Sequence, residues 1–410
     1  MATQDMRIAI ITPEFPPYTN WGGIATFTKN LATLLSTMKH EVHIITYDGS
    51  GVVQKTLKSN GLTIHYVSYK TSSKFFNICY YRIFGLVRVL INKFSPGLLA
   101  IIDWNIFSFL AFRQINKKYH FNILHSTTYH MPFLLISLIF KKIPLVLHAQ
   151  GPNDYFYQIL DTSSIIINRL KTKFEGWHMR TYAKKIVACS MNVRDRLLAK
   201  YPKLSGRVIY IPNFVDYQQF KNVVTLNKKN IVFFGRLEHR KGADILVNVF
   251  VKLAKTRPNI KLYLIGERTS FFDNFWDLSK ITPKIKNRII FYPKIDDKNS
   301  LIELLKTLKG IAVFPSRYEP FGFVVAEAMA LGFVVIASNK GGGKEIIHNT
   351  TDGYLITPSE KILTHTLVHC EKLTKTALNQ ISHNATDAIR ATYSFKGIWG
   401  QISSLENSVL

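Results

Sequence analysis

The amino-acid sequence predicts an α/β protein with two doubly wound parallel sheets, each in a domain of its own. The chain has 410 residues, which is more than one hydrophobic core of ordinary size accommodates, so two domains of about 200 residues are expected. Short apolar runs alternate with amphipathic helical patterns along the whole chain, as in sheets whose faces are covered by helices. Hydrophobic residues make up 47% of the chain, which is typical of a globular protein.

The apolar runs predict ten buried strands, five in each half of the chain. In the first half they comprise residues 7–12, 41–47, 121–126, 143–149 and 183–190. In the second half they comprise residues 230–235, 261–266, 288–293, 311–316 and 333–338. The amphipathic patterns between them predict helices, the clearest at 24–38, 243–255 and 299–308. Strands that alternate with helices favour parallel pairing.

The alternation stops and restarts in a polar, loop-like stretch near residues 210–230, which divides the chain. We therefore predict an N-terminal domain at 1–205, a linker at 206–229, a C-terminal domain at 230–385 and a helical segment at 386–410 that packs back toward the N-terminal domain. In open α/β sheets, ligands bind outside the carboxyl ends of the strands. Two such domains that face each other would form a binding cleft there.

The charge of the chain indicates an anionic partner. There are 53 Lys and Arg against 26 Asp and Glu, a net charge of +27, which suits nucleic acid, acidic lipid or a phosphorylated small molecule. Residues 49–153 contain 12 Lys and Arg and a single acid, Asp103. Because no recognition-helix motif, RNP-like aromatic pattern or zinc-ligand spacing occurs, we expect no nucleic-acid partner, although a basic nucleic-acid-binding protein remains an alternative.

The lack of a secretory-signal pattern and the scatter of the cysteines indicate a cytoplasmic protein. The N-terminus runs directly into the first predicted strand, unlike a secretory signal, and no apolar run reaches the roughly 18 residues of a spanning helix. The three cysteines, Cys79, Cys189 and Cys370, are too scattered for a disulfide framework or a metal site. A cytoplasmic location is therefore expected.

Two carboxylates stand in a mainly apolar stretch, FPSRYEPFGFVVAEAMALG at 314–332, in which Arg317 is the other charged residue. The pattern predicts a loop containing Glu319 after a strand, broken by Pro320 and Gly322, and then a helix with Glu327 in its first turns. Both carboxylates can face one crevice, where they would accept hydrogen bonds from the paired hydroxyls of a ribose or sugar ring. The alternative is that Glu327 interacts with the helix N-terminus and Glu319 is a surface charge.

A basic loop lies in FFGRLEHRKGADILVNVF at 233–250. Arg236 would lie at a strand end and Lys241 at a helix N-terminus, where a diphosphate is best bound. The stretch is neither a Walker loop nor a dinucleotide fingerprint, so a dinucleotide oxidoreductase is not favoured. A solvated basic loop is the alternative.

Paired glycines form a third candidate, in TPEFPPYTNWGGIATFTKNLATLL at 12–35. Gly22 and Gly23 precede a predicted helix, and glycines permit positive φ and close approach of the backbone to a ligand. The alternative is an ordinary turn.

These motifs together resemble those of a known family. The order PEFPPY, GGIATF, IPNFVD, GRLEHRKG, EPFGFVVAEAMALG and GGGKEI is similar to that of the GT-B-fold retaining glycosyltransferases of family 4, which include many lipopolysaccharide, capsule and glycolipid sugar transferases. The resemblance covers essentially the whole chain and is strongest over 211–358. It implies two Rossmann-like domains that face each other across a cleft. The C-terminal domain would bind most of the nucleotide-sugar donor and the N-terminal domain the acceptor.

The resemblance also implies a role for each motif. Arg236 and Lys241 would bind the donor diphosphate and stabilise it as the leaving group. Glu327 would accept hydrogen bonds from the ribose, and Glu319 would bind the transferred sugar. Backbone groups would complete donor binding at Phe321, Gly322, Phe323, Gly22 and Gly23.

The chemistry implied by the family needs no protein nucleophile, because retention is usually ascribed to attack from the front face. The donor phosphate then draws the proton from the acceptor hydroxyl. No D-x-D occurs in the chain, so neither a catalytic metal nor a cofactor is indicated. The nucleotide sugar acts as a co-substrate.

The chain departs from the family at its acceptor and sugar candidates. Gln150 stands where the family often has a histidine, and His148 lies two residues earlier. A glutamine can bind a hydroxyl but takes no proton near neutral pH. Asn213 begins the segment Asn-Phe-Val-Asp, in which Phe214 replaces a usual glycine. His148 can instead be a buried structural residue, and a catalytically inactive sugar-nucleotide-binding homologue is an alternative for the whole chain.

A basic amphipathic helix is predicted at 74–94, with Lys and Arg on one face and aromatic and aliphatic residues opposite. Such a helix suits a membrane surface, although it can equally bury its apolar face on the sheet. With the acid-poor stretch at 49–153, it leads us to expect a glycan or lipid-linked acceptor and peripheral contact with the inner, anionic face of the cytoplasmic membrane.

Overall fold

The computed structural model describes residues 5–16, 22–47, 55–59, 61–68, 80, 85, 89, 96–128, 134–151, 165–220 and 227–410. The chain divides into two compact units. The first comprises Met1–Cys189, Val193–Ile211 and Trp399–Leu410, and the second comprises Ser190–Asn192 and Pro212–Ile398.

The first unit contains an eight-stranded sheet. Its strands are β1 (Arg7–Ile11), β2 (Glu41–Tyr47), β3 (Lys55–Ser59), β4 (Leu62–Val67), β5 (Ile123–Thr127), β6 (Leu145–Ala149), β7 (Ala183–Ala188) and β8 (Val208–Tyr210). They lie in the order β3-β4-β2-β1-β5-β6-β7-β8. All neighbours are parallel except β3, which runs antiparallel to β4 at the edge. The strand order reverses its direction between β1 and β5, as in a doubly wound sheet.

Among the described residues of this half of the chain, the sheet is accompanied by α1 (Gly23–Thr37), α2 (Pro96–Tyr119), α3 (Leu134–Ile139), α4 (Ile165–Tyr182) and α5 (Met191–Lys200). The apolar residues of α1 that recur every three or four positions, such as Leu31, Leu34 and Leu35, are buried, as expected for a helix that covers a sheet. The side chains of β1 and β5 are buried almost throughout, which is typical of central parallel strands.

The second unit contains a six-stranded parallel sheet. Its strands are β9 (Asn230–Phe234), β10 (Lys261–Ile265), β11 (Ile289–Tyr292), β12 (Ile311–Phe314), β13 (Val334–Ser338) and β14 (Tyr354–Ile356). They lie in the order β11-β10-β9-β12-β13-β14. Because the order reverses between β9 and β12, the loops that follow these two strands lie side by side at the topological switch point, where open α/β sheets bind ligands.

The helices described within residues 227–410 are α6 (Ala243–Ala254), α7 (Ser270–Leu278), α8 (Pro283–Lys286), α9 (Lys298–Leu308), α10 (Phe323–Ala330), α11 (Gly343–Ile346), α12 (Glu360–Lys372), α13 (Lys375–Thr392) and α14 (Phe395–Val409). Residues 399–410 of α14 group with the first unit. There the buried carboxylate of Glu406 lies 3.2 Å from Nε2 of His40.

All ten predicted strands are present, and the predicted α/β class with two Rossmann-like domains is confirmed. The stretch predicted as a linker contains β8 and a short 3₁₀ turn at Tyr217–Phe220. The basic amphipathic helix predicted at 74–94 lies outside the described residues except for three isolated positions. Within the part of the chain that the structure describes, no helix has the length and hydropathy needed to cross a bilayer.

Candidate active site

The loop after β9 carries the predicted diphosphate ligands. A 3₁₀ turn at His239–Lys241 leads to Gly242, whose φ of 71° is in the left-handed region, and α6 begins at the next residue. A Cβ atom on Gly242 would lie 2.1 Å from the carbonyl oxygen of Pro315. Glycine is therefore required here for two reasons, its φ angle and the close contact with the loop after β12.

Arg317 fixes the second loop to the first. Its backbone N–H donates to the carbonyl oxygen of Arg240 over 2.8 Å. Its guanidinium donates two hydrogen bonds, of 2.9 and 2.6 Å, to the carboxylate of Asp244 in the first turn of α6. A bidentate pair of this kind holds both partners in a defined geometry. The two loops of the switch point therefore form one joined structure.

The joined loops bring Lys241 and Glu319 together. The ammonium of Lys241 donates to Oε2 of Glu319, and only 14% and 16% of the two side chains is exposed. Nη1 of Arg240 lies 3.6 Å from the same oxygen. Burial lowers the pKa of Lys241, an effect that the neighbouring Glu319 opposes. Burial alone would raise the pKa of Glu319, but Lys241 and Arg240 hold it below its ordinary value.

Arg236 joins the same group of charges through acidic neighbours. Its guanidinium lies 3.8 Å from Glu238 and 3.7 Å from Glu267, and its side chain is 46% exposed. Glu238 in turn accepts a hydrogen bond of 2.7 Å from Arg240. We call Arg236, Glu238, Arg240, Lys241 and Glu319 the switch-point cluster. It can present cations to an anionic ligand while its carboxylates hold those cations in place.

Sequence reasoning missed two members of the switch-point cluster, Glu238 and Arg240. Both are in the GRLEHRKG motif, where their charges could have indicated internal pairing, but their neighbours only become evident in the folded loop. Glu267, the other acidic neighbour of Arg236, follows β10 and was not identified as a site residue either.

The backbone of Glu319 is held by a third loop, the one after β13. Its N–H donates to the carbonyl oxygen of Lys340 over 3.0 Å, and its carbonyl oxygen accepts from the N–H of Gly342 over 2.8 Å. A Cβ atom on Gly341, whose φ is 117°, would lie 1.9 Å from that carbonyl oxygen. The glycine run GGGKEI therefore allows the close backbone contact that positions Glu319.

The predicted donor-binding backbone lies directly after Glu319. Gly322 is the N-cap of α10, and Phe323 is the first residue of that helix. The rings of Phe321 and Phe323 pack edge to face, with centroids 5.2 Å apart. The backbone N–H groups of the first helical turn and the positive end of the helix dipole favour a polar or anionic ligand here.

Glu327 lies one turn further along α10 and is almost fully buried. Its Oε1 lies 2.7 Å from Nζ of Lys298, the first residue of α9, in an ion pair. The remaining residues of α10 are apolar or small, so a charge is costly at this position unless it is paired. Sequence reasoning missed Lys298, because its partner is 29 residues away in the chain.

Two of the predicted donor-binding residues, Gly22 and Gly23, belong to the first unit. Gly22 is the N-cap of α1, with φ −104° and ψ −179°, and Gly23 is the first helical residue. Neither has a positive φ. The glycines permit left-handed backbone but do not use it here, since the chain enters α1 in an extended conformation that any residue adopts.

The candidates for the acceptor and sugar are distributed between the units. His148 and Gln150 lie at the end of β6 in the first unit, and Asn213 is a buried residue of the second. Nε2 of His148 is 2.9 Å from Nδ1 of His125, and the two buried rings are stacked. Burial lowers the pKa of His148 well below its ordinary value. This geometry fits the structural alternative for His148.

No group of three or more His, Cys, Asp or Glu side chains suited to a metal ion occurs among the residues that the structure describes.

Two family models match adjacent parts of the chain. The model described as Glycosyltransferase Family 4 matches residues 21–219, and the model described as Glycosyl transferases group 1 matches residues 215–373. The second match contains the whole switch-point cluster as well as Glu327 and Lys298.

Relatives and solved structures agree with these matches. The glycogen synthase of Mycobacterium tuberculosis is 24% identical over 365 residues, which cover 87% of this chain and 83% of that protein. The spore coat protein SA of Bacillus subtilis is 32% identical over 232 residues, which cover 51% and 60%. The sucrose-phosphate synthase of Thermosynechococcus elongatus has the same fold, with a TM-score of 0.74 at 18% identity and 98% coverage of both chains. Anabaena HepE, solved in complex with UDP-glucose, has a TM-score of 0.69 at 17% identity and covers 98% of this chain and 100% of its own. The chain thus belongs to the GT-B-fold glycosyltransferases of family 4.

Proposed function

We propose that this glycosyltransferase moves a sugar from a nucleotide-diphosphate sugar to a hydroxyl group of a glycan or lipid-linked acceptor, with retention of the anomeric configuration. The observation that carries the proposal is the pairing of Lys241 with Glu319 at the switch point of the second sheet. This is where an α/β sheet binds ligands, and it combines cations for a diphosphate with a carboxylate for sugar hydroxyls. A HepE structure that contains UDP-glucose supports the class of donor.

The cations of the switch-point cluster would act on the leaving group. When the bond between the sugar and the diphosphate breaks, negative charge grows on the bridging phosphate oxygen. Cations that are already in position stabilise this charge without reorganisation. An ammonium group has three N–H donors, so Lys241 can remain bonded to Glu319 while it binds phosphate. Glu319 and the backbone after it would orient the sugar ring, and Glu327 would bind the ribose.

The acceptor hydroxyl must lose its proton, and we propose that the donor phosphate takes it during attack from the front face. His148 is bonded to His125 in a buried pair, which makes it a poor candidate for a general base because such a group must reach the substrate. We also propose that transfer needs no metal, since the chain lacks a D-x-D motif.

A panel of nucleotide sugars tests this function. Purified protein is incubated with UDP-, GDP- and ADP-sugars, and release of the nucleoside diphosphate is measured with and without an acceptor extract. We expect one class of donor to be turned over and Glu327→Ala to lower the apparent affinity for it by about tenfold or more, because a charged hydrogen-bond partner of the ribose is lost.

Three results would contradict the proposal. Failure to bind or turn over any donor would exclude the activity. Tight binding of a donor without release would favour the inactive sugar-nucleotide-binding homologue. Binding of random DNA at physiological salt, without donor binding, would favour the nucleic-acid alternative.

We further propose that the enzyme works in the cytoplasm, at an anionic membrane surface, in the synthesis of a surface polysaccharide or glycolipid. The support comes from one face of α4 in the first unit. Lys173, Phe174, Trp177 and Arg180 are exposed and lie within an arc of about 120° around the helix. The rings of Phe174 and Trp177 are stacked, with centroids 5.5 Å apart. Exposed aromatic rings beside cations suit the interface of an anionic bilayer.

Flotation with vesicles tests the membrane proposal. The protein should float with vesicles that contain phosphatidylglycerol and much less with phosphatidylcholine alone, and added salt should release it. Phe174→Ala combined with Trp177→Ala should weaken binding by about tenfold, because two apolar rings no longer enter the interface. Trp399→Ala is the matched control, since Trp399 is similarly exposed on a different helix. Equal losses in the two variants, or binding that is insensitive to salt and lipid charge, would contradict the proposal.

A further inference from the structure

Lys298 occupies an unfavourable place for a cation unless it has a specific role. It is the first residue of α9, directly after the N-cap Asp297, whose side chain accepts from the backbone N–H of Ser300. The N-terminus of a helix carries partial positive charge and favours acidic side chains over basic ones. The local sequence therefore gives no reason for a lysine at this position. Its contact with another element does.

That contact is with Glu327 on α10. Nζ of Lys298 lies 2.7 Å from Oε1 of Glu327, and the two side chains are 21% and 7% exposed. The same ammonium lies over the ring of Phe220, 5.8 Å from its centroid. Lys298 is thus enclosed between the carboxylate and an aromatic face, both of which attract a cation. The pair connects the start of α9 with α10, which immediately follows the Glu319 loop.

A ribose-binding carboxylate must remain ionised and must keep one oxygen available to the two adjacent hydroxyls. An almost buried carboxylate meets the first requirement only with a partner. The ammonium of Lys298 is ion-paired with Oε1, which favours one orientation of the carboxylate and leaves Oε2 as the oxygen that can accept from a ligand. An ammonium with three donors can in addition bond to a hydroxyl oxygen of the same diol.

We propose that Lys298 is a positioning residue that orients Glu327 toward the ribose diol of the donor and makes binding depend on that diol. The inference rests on the proposed function, because it takes the ligand to be a nucleoside diphosphate. It adds that recognition of the ribose depends on the Lys298–Glu327 pair as a unit and not on the carboxylate alone.

A purely structural ion pair is the competing explanation. A structural pair would affect folding, and its loss would weaken every ligand of the site to the same degree. A positioning pair would affect only ligands that carry the diol. The two explanations are therefore separated by a ligand that differs from the nucleotide only at the ribose.

The experiment measures the affinities of UDP, GDP, ADP and their dideoxyribose analogues by calorimetry for wild type, Lys298→Met, Lys298→Arg, Glu327→Gln and the double variant Lys298→Met/Glu327→Gln. For the nucleotide that binds, Lys298→Met should weaken the ribose form by about tenfold or more and the dideoxy form by less than about twofold. Lys298→Arg should restore most of the affinity. The double variant should be no weaker than Glu327→Gln alone, because the two residues act together.

The double variant also controls for misfolding, because it removes both charges of the pair and so leaves no unpaired charge on α10. Lys306→Met is the matched control: Lys306 lies on the same helix, is similarly buried and makes an ion pair of 2.8 Å with Glu303. It should leave both affinities unchanged. Equal weakening of the ribose and dideoxy forms by Lys298→Met, or additive losses in the double variant, would overturn the role of Lys298 alone. A wild-type protein that binds none of the nucleotides would overturn the proposed function and this inference with it.

Discussion

Replacing Lys241 by glutamine should lower the turnover of the donor sugar by about a hundredfold or more. Glutamine keeps hydrogen-bonding capacity and much of the length of the side chain but carries no charge. In the proposed mechanism Lys241 interacts most strongly with the leaving diphosphate as its charge grows. The loss should therefore appear mainly in kcat, with a smaller change in KM.

The ion pairs around Lys241 predict a second consequence of the substitution, at Glu319. Without the ammonium of Lys241, Arg240, at 3.6 Å, is the remaining cation paired with Glu319 among the described residues. The carboxylate is then less well compensated in a largely buried place. The substitution should therefore disturb the orientation of the sugar-binding loop and also weaken stabilisation of the leaving diphosphate. Glu319→Gln should consequently lower kcat as well, and the two substitutions should be less than additive when combined.

Lys252→Gln is the control for this prediction. Lys252 lies on α6, which begins two residues after Lys241, and its ammonium makes an exposed ion pair of 2.6 Å with Glu360. Exposed pairs contribute little, so this variant should keep wild-type kinetics. Thermal unfolding of both variants shows whether the fold is intact. If Lys241→Gln is folded and turns over the donor within about threefold of wild type, the leaving-group role is wrong.

The strands that could be predicted are those with continuous apolar runs. All ten of them belong to the two sheets, because burial on both faces selects such runs in parallel strands. Four strands were not predicted: β3, β4, β8 and β14. β3 is a polar strand at an edge, and β8 and β14 have three residues each, so their sequences carry little signal. Their pairing depends on the neighbouring strand more than on their own side chains.

The residues of the candidate site that lie within recognisable sequence motifs could be predicted. Lys241 and Glu319 were identified from separate stretches and are in contact, because the topology of the second sheet places the loops after β9 and β12 side by side. Lys298 could not be identified, since nothing near it in the sequence points to Glu327. The conformation of Gly22 could not be predicted, because a glycine pair permits left-handed backbone but does not require it.

The stability of the first unit should fall steeply as the pH is lowered from about 7.5 to about 5.5. Its sheet and helices bury five histidines whose pKa values are lowered: His43, His65, His125, His148 and His178. Burial is the largest cause in every case. It lowers the pKa to about 4 for His65 and His178 and to about 3 for His125.

The direction of this pH effect follows from the pH at which the folded and the unfolded state each bind protons. The unfolded chain protonates these histidines near the ordinary value of 6.5, whereas the folded unit does so only at lower pH. Between the two values the unfolded state holds more protons, so acid favours unfolding. Each histidine that stays neutral in the fold costs about 1.4 kcal/mol at one pH unit below its unfolded pKa. The three whose pKa falls to about 3 or 4, His65, His125 and His178, should together remove about 4 kcal/mol and lower the melting temperature by several degrees or more.

The loss of stability should be confined to the first unit. Hydrogen exchange can test this, because the second unit of the same chain serves as an internal reference. At about pH 5.5, after correction for intrinsic rates, peptides from β5 and β6 should lose protection, while those from β9 and β12 should keep it. His178→Gln should reduce the pH-dependent part of the destabilisation, because one titrating group is removed. His365→Gln, at an exposed position on α12, should not. Equal protection of β5 and β6 at both pH values would show that the buried histidines do not control the acid stability of this unit.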